Sequence, residues 1–488
     1  MKIKKLYWIS LTAFFFFAGI SLVRPMYGIN QWRDGQTFGV ALNFVEDGID
    51  LFRPAFDLRG LGSGVLPSEF PLYNALSAIL MNLFGVDYFW PRFLSLILLI
   101  ATALIAYQVL FRRISKDDRP RWIIPLIFLN TVLTLQSTAI MPETLAIFLM
   151  VCAWSLLWLF SSWSFAIRMC LITALLVLGV LVKPYVYCVL PVVLIETLKQ
   201  FHQRSKPFDK ALFFPLILGV IFLPLLSLFS WIDFIMQFKD NAFEGAAITH
   251  HYGRDFQTIY NQLTIENIFH AIKKVIFHGF GPLGALAIFR FLIMYAGKEK
   301  QFNLTKAWKL PFFGEVLWLL AGFTFLLAAG DAQRIQTYYA CATAFPAILL
   351  SYRAFVSLSP EWRNWLICIQ ILGVVYFWNK AIFSGIPQWE KERRFQQKVH
   401  SFSSREDLFI LLYDIGTFTP LNRLMRRGIN YPRWEIVEKN ICQYQFLYLY
   451  GWGMKKRKEA EKLLGMKPTK MNDGTLIFPI EESKTCQK

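Results

Sequence analysis

The sequence predicts an all-α polytopic membrane protein with about eleven transmembrane helices and a small α/β domain outside the membrane. Composition is the first reason, because 55% of the 488 residues are hydrophobic and only 17% are charged. The second is a series of apolar runs long enough to cross about 30 Å of hydrocarbon. The third is that Lys and Arg fall mostly between those runs, which explains the net charge of +18 without nucleic acid.

The apolar runs fix the order of the predicted spans. The first run, 6–23, follows the basic start MKIKK and lacks a small-residue cleavage site, so we interpret it as an uncleaved span. The remaining runs lie near 92–111, 122–138, 142–160, 165–182, 184–200, 211–231, 276–296, 311–329, 335–352 and 364–381. When the spans alternate in direction, the N-terminus shares one side with the basic connections at 111–121, 198–210, 297–309 and 352–364. The positive-inside rule makes that side the cytoplasm.

This topology requires that FPLYNALSAILMNLF (70–84) does not cross the membrane. An extra span there would move the basic connection 111–121 to the outside. The stretch is about 15 residues long and contains Asn74 and Asn82, so it is too short and too polar for a span. We therefore predict an interfacial or half-inserted helix.

Three outer regions follow from the topology. Residues 24–91 form the first, in which GQTFGVALNFVEDG predicts an amphipathic helix lying on the membrane. Residues 232–275 form a second outer loop. After the membrane domain (1–381), the mixed composition of 382–488 predicts a small soluble domain outside the cytoplasm. Two cysteines in this tail are open to pairing if their compartment is oxidising, namely Cys442 and Cys486.

Acidic residues collect on the predicted outer face. Asp34 follows the first span in QWRDGQTFGV, Glu69 opens the half-helix in SEFPLY, and Glu143 opens a span in MPETLAIF. Acids at a membrane face are costly unless they are paired, bound to metal or used in chemistry. The ordinary alternative is helix capping, because Pro71 and Pro142 mark helix starts and carboxylates favour that end. All three acids lie on the same predicted side of the membrane. Helix capping does not predict this shared location, so it favours a functional role.

Cations reach the same predicted face: Lys183, Arg334, Arg53, Arg59 and Arg92. Snorkelling is the ordinary explanation for a lone outer lysine. Together these residues suit an anionic lipid headgroup, because Arg binds phosphate with two parallel hydrogen bonds. Two roles stay open for Arg33: pairing with Asp34, or facing lipid phosphates.

The loop 232–275 contains His250 and His251 in the stretch THHYGRD. Their ring nitrogens diverge because the residues are adjacent, so one metal ion would use only one of them. One histidine with Glu69 and Glu143 would make an N,O ligand set for Mg²⁺, Mn²⁺ or Zn²⁺. A surface histidine pair without a ligand is the open alternative.

Several stretches, in order, resemble the polyprenyl-phosphate-sugar glycosyltransferases of the GT-C fold: QWRDGQTFGVALNF, the segment 57–96, MPETLAIF, VKPYVY and QTYYACATAFPAILL. The protein mannosyltransferases and lipid A aminoarabinose transferases are the most similar branch. The resemblance covers about residues 1–380. It implies inverting transfer of a sugar from a polyprenyl-phosphate carrier to a lipid, glycan or protein acceptor. It also implies a bacterial inner-membrane enzyme.

The resemblance implies a role for each candidate residue. Asp34 matches the catalytic carboxylate, which is thought to orient or deprotonate the acceptor. The residues that match a metal site present in some relatives are Glu69, Glu143 and His251 or His250. Lys183 and Arg334 fall where contacts to the donor phosphate are needed, and Arg59 is assigned to the same phosphate because its charge suits an anionic headgroup.

Two positions depart from the pattern. Relatives often have a second acid where this chain has Gly35, and the aminoarabinose branch has a lysine where it has Phe70. The second departure argues against assuming a lipid A acceptor or an aminoarabinose donor. A transporter or flippase for a lipid-linked saccharide is the rival function. It is disfavoured because the acids lie at span ends and no internal symmetry is visible.

Overall fold

The structure is a computed structural model of the chain. It describes residues 3–24, 31–57, 64–65, 68–114, 119–202, 207–238, 264–281, 313–330 and 336–381 and, in the tail, 394, 397–401, 403, 407–412, 427–431, 437–438, 440–449, 455–470, 476–480 and 486. The chain divides into two compact units. The first contains Met1–Ser21 and Arg92–Trp378, and the second contains Leu22–Pro91 and Asn379–Lys488. The domain boundary proposed after residue 381 stays a prediction.

Helices dominate the described chain. In order they are α1 (Ile3–Leu22), α2 (Gln31–Asp47), α3 (Leu72–Phe84), α4 (Phe89–Ile114), α5 (Ile123–Phe128), α6 (Thr131–Gln136), α7 (Glu143–Leu159), α8 (Phe165–Val182), α9 (Leu190–His202), α10 (Pro207–Met236), α11 (Ile265–Lys274), α12 (Phe313–Ala329), α13 (Cys341–Ser357), α14 (Pro360–Ala381) and α15 (Arg457–Leu464). Short 3₁₀ segments lie at Arg119–Trp122, Pro184–Val189, Thr337–Ala340 and Ile441–Gln443. A π-helical segment, Val275–Phe280, continues α11.

The chain is a multi-pass integral membrane protein. Within the described residues, five helical stretches are long and apolar enough to cross a membrane: Lys5–Leu22, Phe89–Arg113, Phe165–Val182, Leu212–Met236 and Tyr338–Ser357. Shorter apolar helices lie at Leu72–Phe84, Glu143–Leu159 and Phe313–Ala329. The 13-residue α3 agrees with the prediction that 70–84 is too short to span.

The run 122–138 is not the continuous helix that its composition predicts. It forms α5 and α6, which are separated at Leu129 and Asn130. Asn130 is the N-cap of α6, because its Oδ1 accepts the backbone N–H of Leu133 at 3.0 Å. Its Nδ2 also donates to the backbone oxygen of Gly279 at 2.8 Å. Hydropathy does not register these polar contacts, so it overestimates the continuity of the span.

An ion-pair cluster joins three helix ends in the first unit. Glu315, at the start of α12, is buried and lies 2.9 Å from Nη1 of Arg113 and 3.0 Å from Nη2 of Arg353. Arg113 is at the end of α4 and Arg353 is near the end of α13. The alternating topology predicts that these three ends share the cytoplasmic side. The cluster therefore agrees with the predicted order of the spans.

In the second unit, α2 packs against α3. Nδ2 of Asn74 donates to the backbone oxygen of Thr37 at 2.7 Å, and the hydroxyl of Tyr73 donates to the oxygen of Pro91 at 2.7 Å. Every residue from 34 to 44 is buried. The predicted helix is therefore present as α2, but it does not expose the polar face that an amphipathic surface helix would have. The apolar spacing indicated one buried face, but the polar residues between are also covered.

The tail forms a five-stranded mixed sheet in the order β2-β1-β3-β5-β4. The strands are β1 (Leu408–Leu412), β2 (Arg427–Tyr431), β3 (Phe446–Leu449), β4 (Thr469–Lys470) and β5 (Leu476–Pro479). β1 pairs in parallel with β2 and β3, whereas β5 pairs antiparallel with β3 and β4. Apolar residues of α15 pack with those of β3 and β5. Cys442 and Cys486 form a disulfide across 44 residues of this α/β domain.

Candidate active site

Asp34 is a buried carboxylate in the first turn of α2. It is 3% exposed, and its Oδ2 lies 3.6 Å from Nη2 of Arg24, just beyond the end of α1. A carboxylate in the first helical turn is favoured by the helix dipole. Burial lowers the pKa of Arg24, while the adjacent Asp34 raises it. The buried acid therefore has a neighbouring cation that compensates its charge.

Glu69 lies in the bend before α3 and contacts Arg33. Nη2 of Arg33 pairs with Oε1 of Glu69, and Nη1 donates to Oε1 of Gln36 at 2.6 Å. Helix capping does not explain Glu69, because the N-cap of α3 is Pro71. The sequence left open whether Arg33 pairs with Asp34 or faces lipid phosphates. The structure shows Arg33 in contact with two other side chains, those of Glu69 and Gln36.

In the first unit, Glu143 and Lys183 form a buried ion pair. Glu143 begins α7 and is 0% exposed, while Lys183 follows the end of α8 and is 6% exposed. Nζ of Lys183 lies 2.7 Å from Oε1 of Glu143. In the described structure, Oε2 of Glu143 is buried without a hydrogen-bond partner. Lys183 thus does more than snorkel, and Glu143 does more than cap a helix.

A close approach at Gly179 positions the lysine. The Lys–Pro turn folds back on α8, and a Cβ on Gly179 would fall 2.5 Å from Cγ1 of Val186. The hydroxyl of Tyr185 reaches the backbone oxygen of Glu143 at 3.3 Å. Glycine at 179 therefore lets the turn hold Lys183 against the start of α7.

Lys274 belongs to the same part of the first unit, although sequence reasoning did not single it out. It ends α11, and its Nζ donates to the backbone oxygen of Gln336. Burial lowers the pKa of Lys274 to about 8. In the sequence it is half of a Lys–Lys pair at a helix C-terminus, where cations are common. Only its burial distinguishes it.

Other predicted residues receive less support. Arg53 is exposed, whereas Arg92 is fully buried. The residues Arg59, Arg334, His250 and His251 lie outside the described part of the chain. Their predicted roles at the donor phosphate and at a metal ion stay predictions.

The metal hypothesis gains no ligand set from the described residues. No group of three or more His, Cys, Asp or Glu side chains lies together among them. Glu143 is already paired with Lys183, and Glu69 with Arg33. A cation-paired carboxylate would have to exchange its partner before it could bind a metal ion.

Comparison with known proteins gives a match at the level of structure. No family model matches the chain, and no curated protein matches it. The crystal structure of ArnT from Cupriavidus metallidurans bound to undecaprenyl phosphate matches with a TM-score of 0.65 at 12% identity, over 97% of each chain. The apo structure of the same ArnT matches with a TM-score of 0.65 at 13% identity, over 98% of each chain.

The chain has the ArnT fold.

This is a GT-C fold, as the sequence resemblance implied. The match to ArnT also extends beyond residue 380, where that resemblance ended, because it covers 97% of the chain. The small α/β tail therefore belongs to the architecture shared with ArnT. One of the two ArnT structures holds undecaprenyl phosphate.

Proposed function

We propose that this chain is a membrane glycosyltransferase that moves a sugar from a polyprenyl-phosphate carrier to an acceptor at the outer membrane face. The observation that carries the proposal is the ArnT fold over 97% of the chain. The ArnT structure that binds undecaprenyl phosphate makes a polyprenyl-phosphate donor the class to test. Buried Asp34, at the position matched to the catalytic carboxylate, supports the same function.

The proposed reaction is a direct displacement at the anomeric carbon. The acceptor hydroxyl or amine forms the new bond, while the bond from that carbon to the phosphate oxygen breaks. Polyprenyl phosphate leaves with the bonding electrons, and the configuration inverts. Asp34 takes the proton from the acceptor, which is general base catalysis.

Asp34 must remain ionised until it accepts the proton, so its negative charge has to be compensated by a neighbouring group. Arg24 supplies that compensation from 3.6 Å, which is longer than a hydrogen bond of about 2.7–3.2 Å. This contact therefore compensates charge without requiring a direct hydrogen bond. Once Asp34 is protonated, Arg24 retains its own charge because guanidinium stays protonated.

The departing phosphate gains negative charge as its bond to the sugar breaks. We assign stabilisation of that charge to Lys183, which Glu143 holds in place from 2.7 Å. Arg334 and Arg59, which lie outside the described residues, are proposed to contribute to the same stabilisation.

The tail disulfide supports the proposed orientation. Disulfides persist in oxidising compartments and are rare in the cytosol. The pairing of Cys442 with Cys486 therefore favours a tail outside the cytoplasm. An inner-membrane enzyme with a cytoplasmic N-terminus, acting on the outer face, fits this orientation.

The test is mass spectrometry of surface glycoconjugates from cells that lack the chain. We expect one sugar to be missing and to be restored by the wild-type chain. Asp34→Asn should restore less than a hundredth of it, because a general base contributes about 10²–10⁴-fold. An unchanged glycoconjugate profile in the deleted cells would contradict the proposal.

Asp57→Asn is the matched control. Asp57 is also buried in the second unit, and its Oδ1 accepts a hydrogen bond from Asn43 at 3.3 Å. It has no assigned chemical role, so the variant should restore the sugar when it is present at wild-type level. Equal restoration by the Asp34 variant would exclude Asp34 as the base.

A further inference from the structure

A second lysine lies near the Glu143–Lys183 pair. Lys274 is 7% exposed, and its ammonium donates to the backbone oxygen of Gln336. Tyr338 donates its hydroxyl to Oε1 of Gln336, and its ring centre lies 5.3 Å from Nζ of Lys183. Gln336 and Tyr338 therefore connect the two lysines within the first unit.

The charges in this cluster do not balance. Cys341, at the start of α13, lies close enough to Glu143, Lys183 and Lys274 for all three charges to act on its thiol. Lys183 is paired with Glu143. No carboxylate among the described residues forms an ion pair with Lys274, so the described side chains of the cluster carry two ammonium groups against one carboxylate.

Helix stabilisation does not account for the burial of Lys274. A lysine in the last turn of α11 interacts favourably with the helix dipole from the surface. Lys273 already occupies that turn and is exposed. Burial of Lys274 disfavours the charged form of its amine, which is why its pKa falls to about 8. An anionic ligand would offset that cost.

The beginning of α13 lies beside both lysines. The 3₁₀ segment Thr337–Ala340 leads directly into α13 at Cys341. The backbone N–H of Cys341 is already bonded within that segment, to the oxygens of Tyr338 and Tyr339. The two lysines are therefore the donors at this position, and two ammonium groups make an environment suited to phosphate.

We propose that Lys274 binds the phosphate of the carrier lipid together with Lys183, an inference that rests on the function proposed above. The donor is a phosphodiester with one negative charge, and the departing polyprenyl phosphate acquires a second. A second ammonium therefore interacts more strongly with the leaving group than with the intact donor. Lys274 would thus favour departure of the carrier as well as binding.

The test measures binding of undecaprenyl phosphate to the purified full chain in detergent. We expect Lys274→Gln to weaken binding on the order of tenfold or more, because it removes a charge-assisted hydrogen bond. Lys274→Arg should retain most of the affinity. Lys273→Gln changes the adjacent exposed lysine and should bind as the wild type does. Thermal melting checks that each variant is folded.

Competition with inorganic phosphate tests whether the site binds the phosphate of the lipid or free phosphate. Inorganic phosphate should compete with undecaprenyl phosphate only at far higher concentration, and it should compete less well in the Lys274→Gln variant. If inorganic phosphate binds the wild type as tightly as the lipid does, the site is one for free phosphate and the lipid assignment is overturned.

The outcomes separate this inference from the proposed function. If the wild type binds undecaprenyl phosphate and folded Lys274→Gln binds it equally well, the role of Lys274 is wrong while the function stands. If Lys274→Arg also loses all binding although it is folded, a purely charge-based role is overturned. If the wild type does not bind the lipid, both proposals fail.

Discussion

At the residue scale, burial of the Glu143–Lys183 pair costs desolvation free energy. Neither side chain is appreciably exposed, so each charge depends on the other for compensation. Oε2 of Glu143 lacks a hydrogen-bond partner within the described structure, so burial of the carboxylate is only partly compensated. Incompletely satisfied buried charges at span ends are typical of functional sites.

We predict that Glu143→Gln lowers sugar transfer on the order of tenfold or more, because Lys183 would lose the carboxylate that holds it. Glu196→Gln is the matched control. Glu196 is a buried glutamate of the same unit and lies 3.0 Å from Nζ of Lys199. Both variants should lose stability, but only the first should lose transfer per folded molecule. Equal loss of transfer would indicate a structural effect alone.

Phosphate binding should depend on pH through Lys274. Its ammonium is charged below about pH 8 and becomes neutral as pH rises through that value. A phosphate monoester is doubly charged above about pH 6, so it does not titrate in this window. Affinity for undecaprenyl phosphate should therefore fall between about pH 8 and 10, as measured by titration at each pH.

Lys274→Arg controls this experiment, because arginine stays charged and the fall should disappear. The other ionisable groups near Lys274 are the Lys183–Glu143 pair, Cys341 on α13, and Lys273 and His278 on its own segment. An unchanged fall in the arginine variant would assign the pH dependence to one of these groups.

Sequence reasoning identifies residues that are unusual in their local context. Asp34, Glu143 and Lys183 adjoin apolar runs, where a charge is conspicuous. The ion-pair partners of these residues depend on how the chain folds. The pairing of Asp34 with Arg24 is therefore not evident in the sequence. Lys274 contacts a residue 62 positions away, and nothing near it in the chain indicates that it is buried.

At the element scale, close backbone contact determines where α12 and α13 lie. A Cβ on Gly322 of α12 would fall 2.5 Å from the backbone oxygen of Ala342 in α13. Small residues permit such approach between membrane helices. Cys341 begins α13 and Tyr338 lies in the 3₁₀ segment directly before it, so this contact also supports the lysine cluster.

We predict that Gly322→Ala destabilises the protein by about 1–3 kcal/mol, because the two helices must separate to admit the methyl group. Gly373→Ala is the control in α14, where an added Cβ meets nothing within 4 Å. Thermal unfolding in detergent should show a lower Tm for the first variant only. Equal Tm values would mean that the helices accommodate the methyl without strain.

The sequence predicts long uniform helices better than interrupted ones. The run 165–182 coincides with α8, because it is apolar apart from Arg168 and a few small or hydroxyl residues, and it begins after the capping residue Ser164. The run 122–138 is equally apolar, but Asn130 divides it by bonding to residues near 279. That partner is distant in the chain, so hydropathy alone could not reveal the break.

At the scale of the whole molecule, two observations agree with the predicted topology. Glu315 joins helix ends that alternating spans assign to the cytoplasm. The Cys442–Cys486 disulfide favours a tail outside it. The ion-pair cluster tests whether the counted spans alternate consistently, whereas the disulfide bears on the side of the tail without any count of spans.

We predict that single cysteines will report this orientation in a chain whose free cysteines are replaced by serine. Ile49→Cys, in the first outer region, should react with a membrane-impermeant thiol reagent added to intact cells. Ser162→Cys, between α7 and α8, should react only after the membrane is opened. Both native residues are exposed. Labelling of position 162 from outside would invert the topology.

The central claim is that the chain catalyses sugar transfer rather than moving a lipid-linked sugar across the membrane. A detergent solution has no separate compartments, so a transporter has no detectable activity in it. The most direct measurement is turnover of a labelled polyprenyl-phosphate sugar pool by purified chain in detergent, with a membrane extract as acceptor. We predict transfer of label and release of lipid phosphate by the wild type, and neither by folded Asp34→Asn. Absence of turnover in detergent, with transport retained in sealed vesicles, would contradict this account.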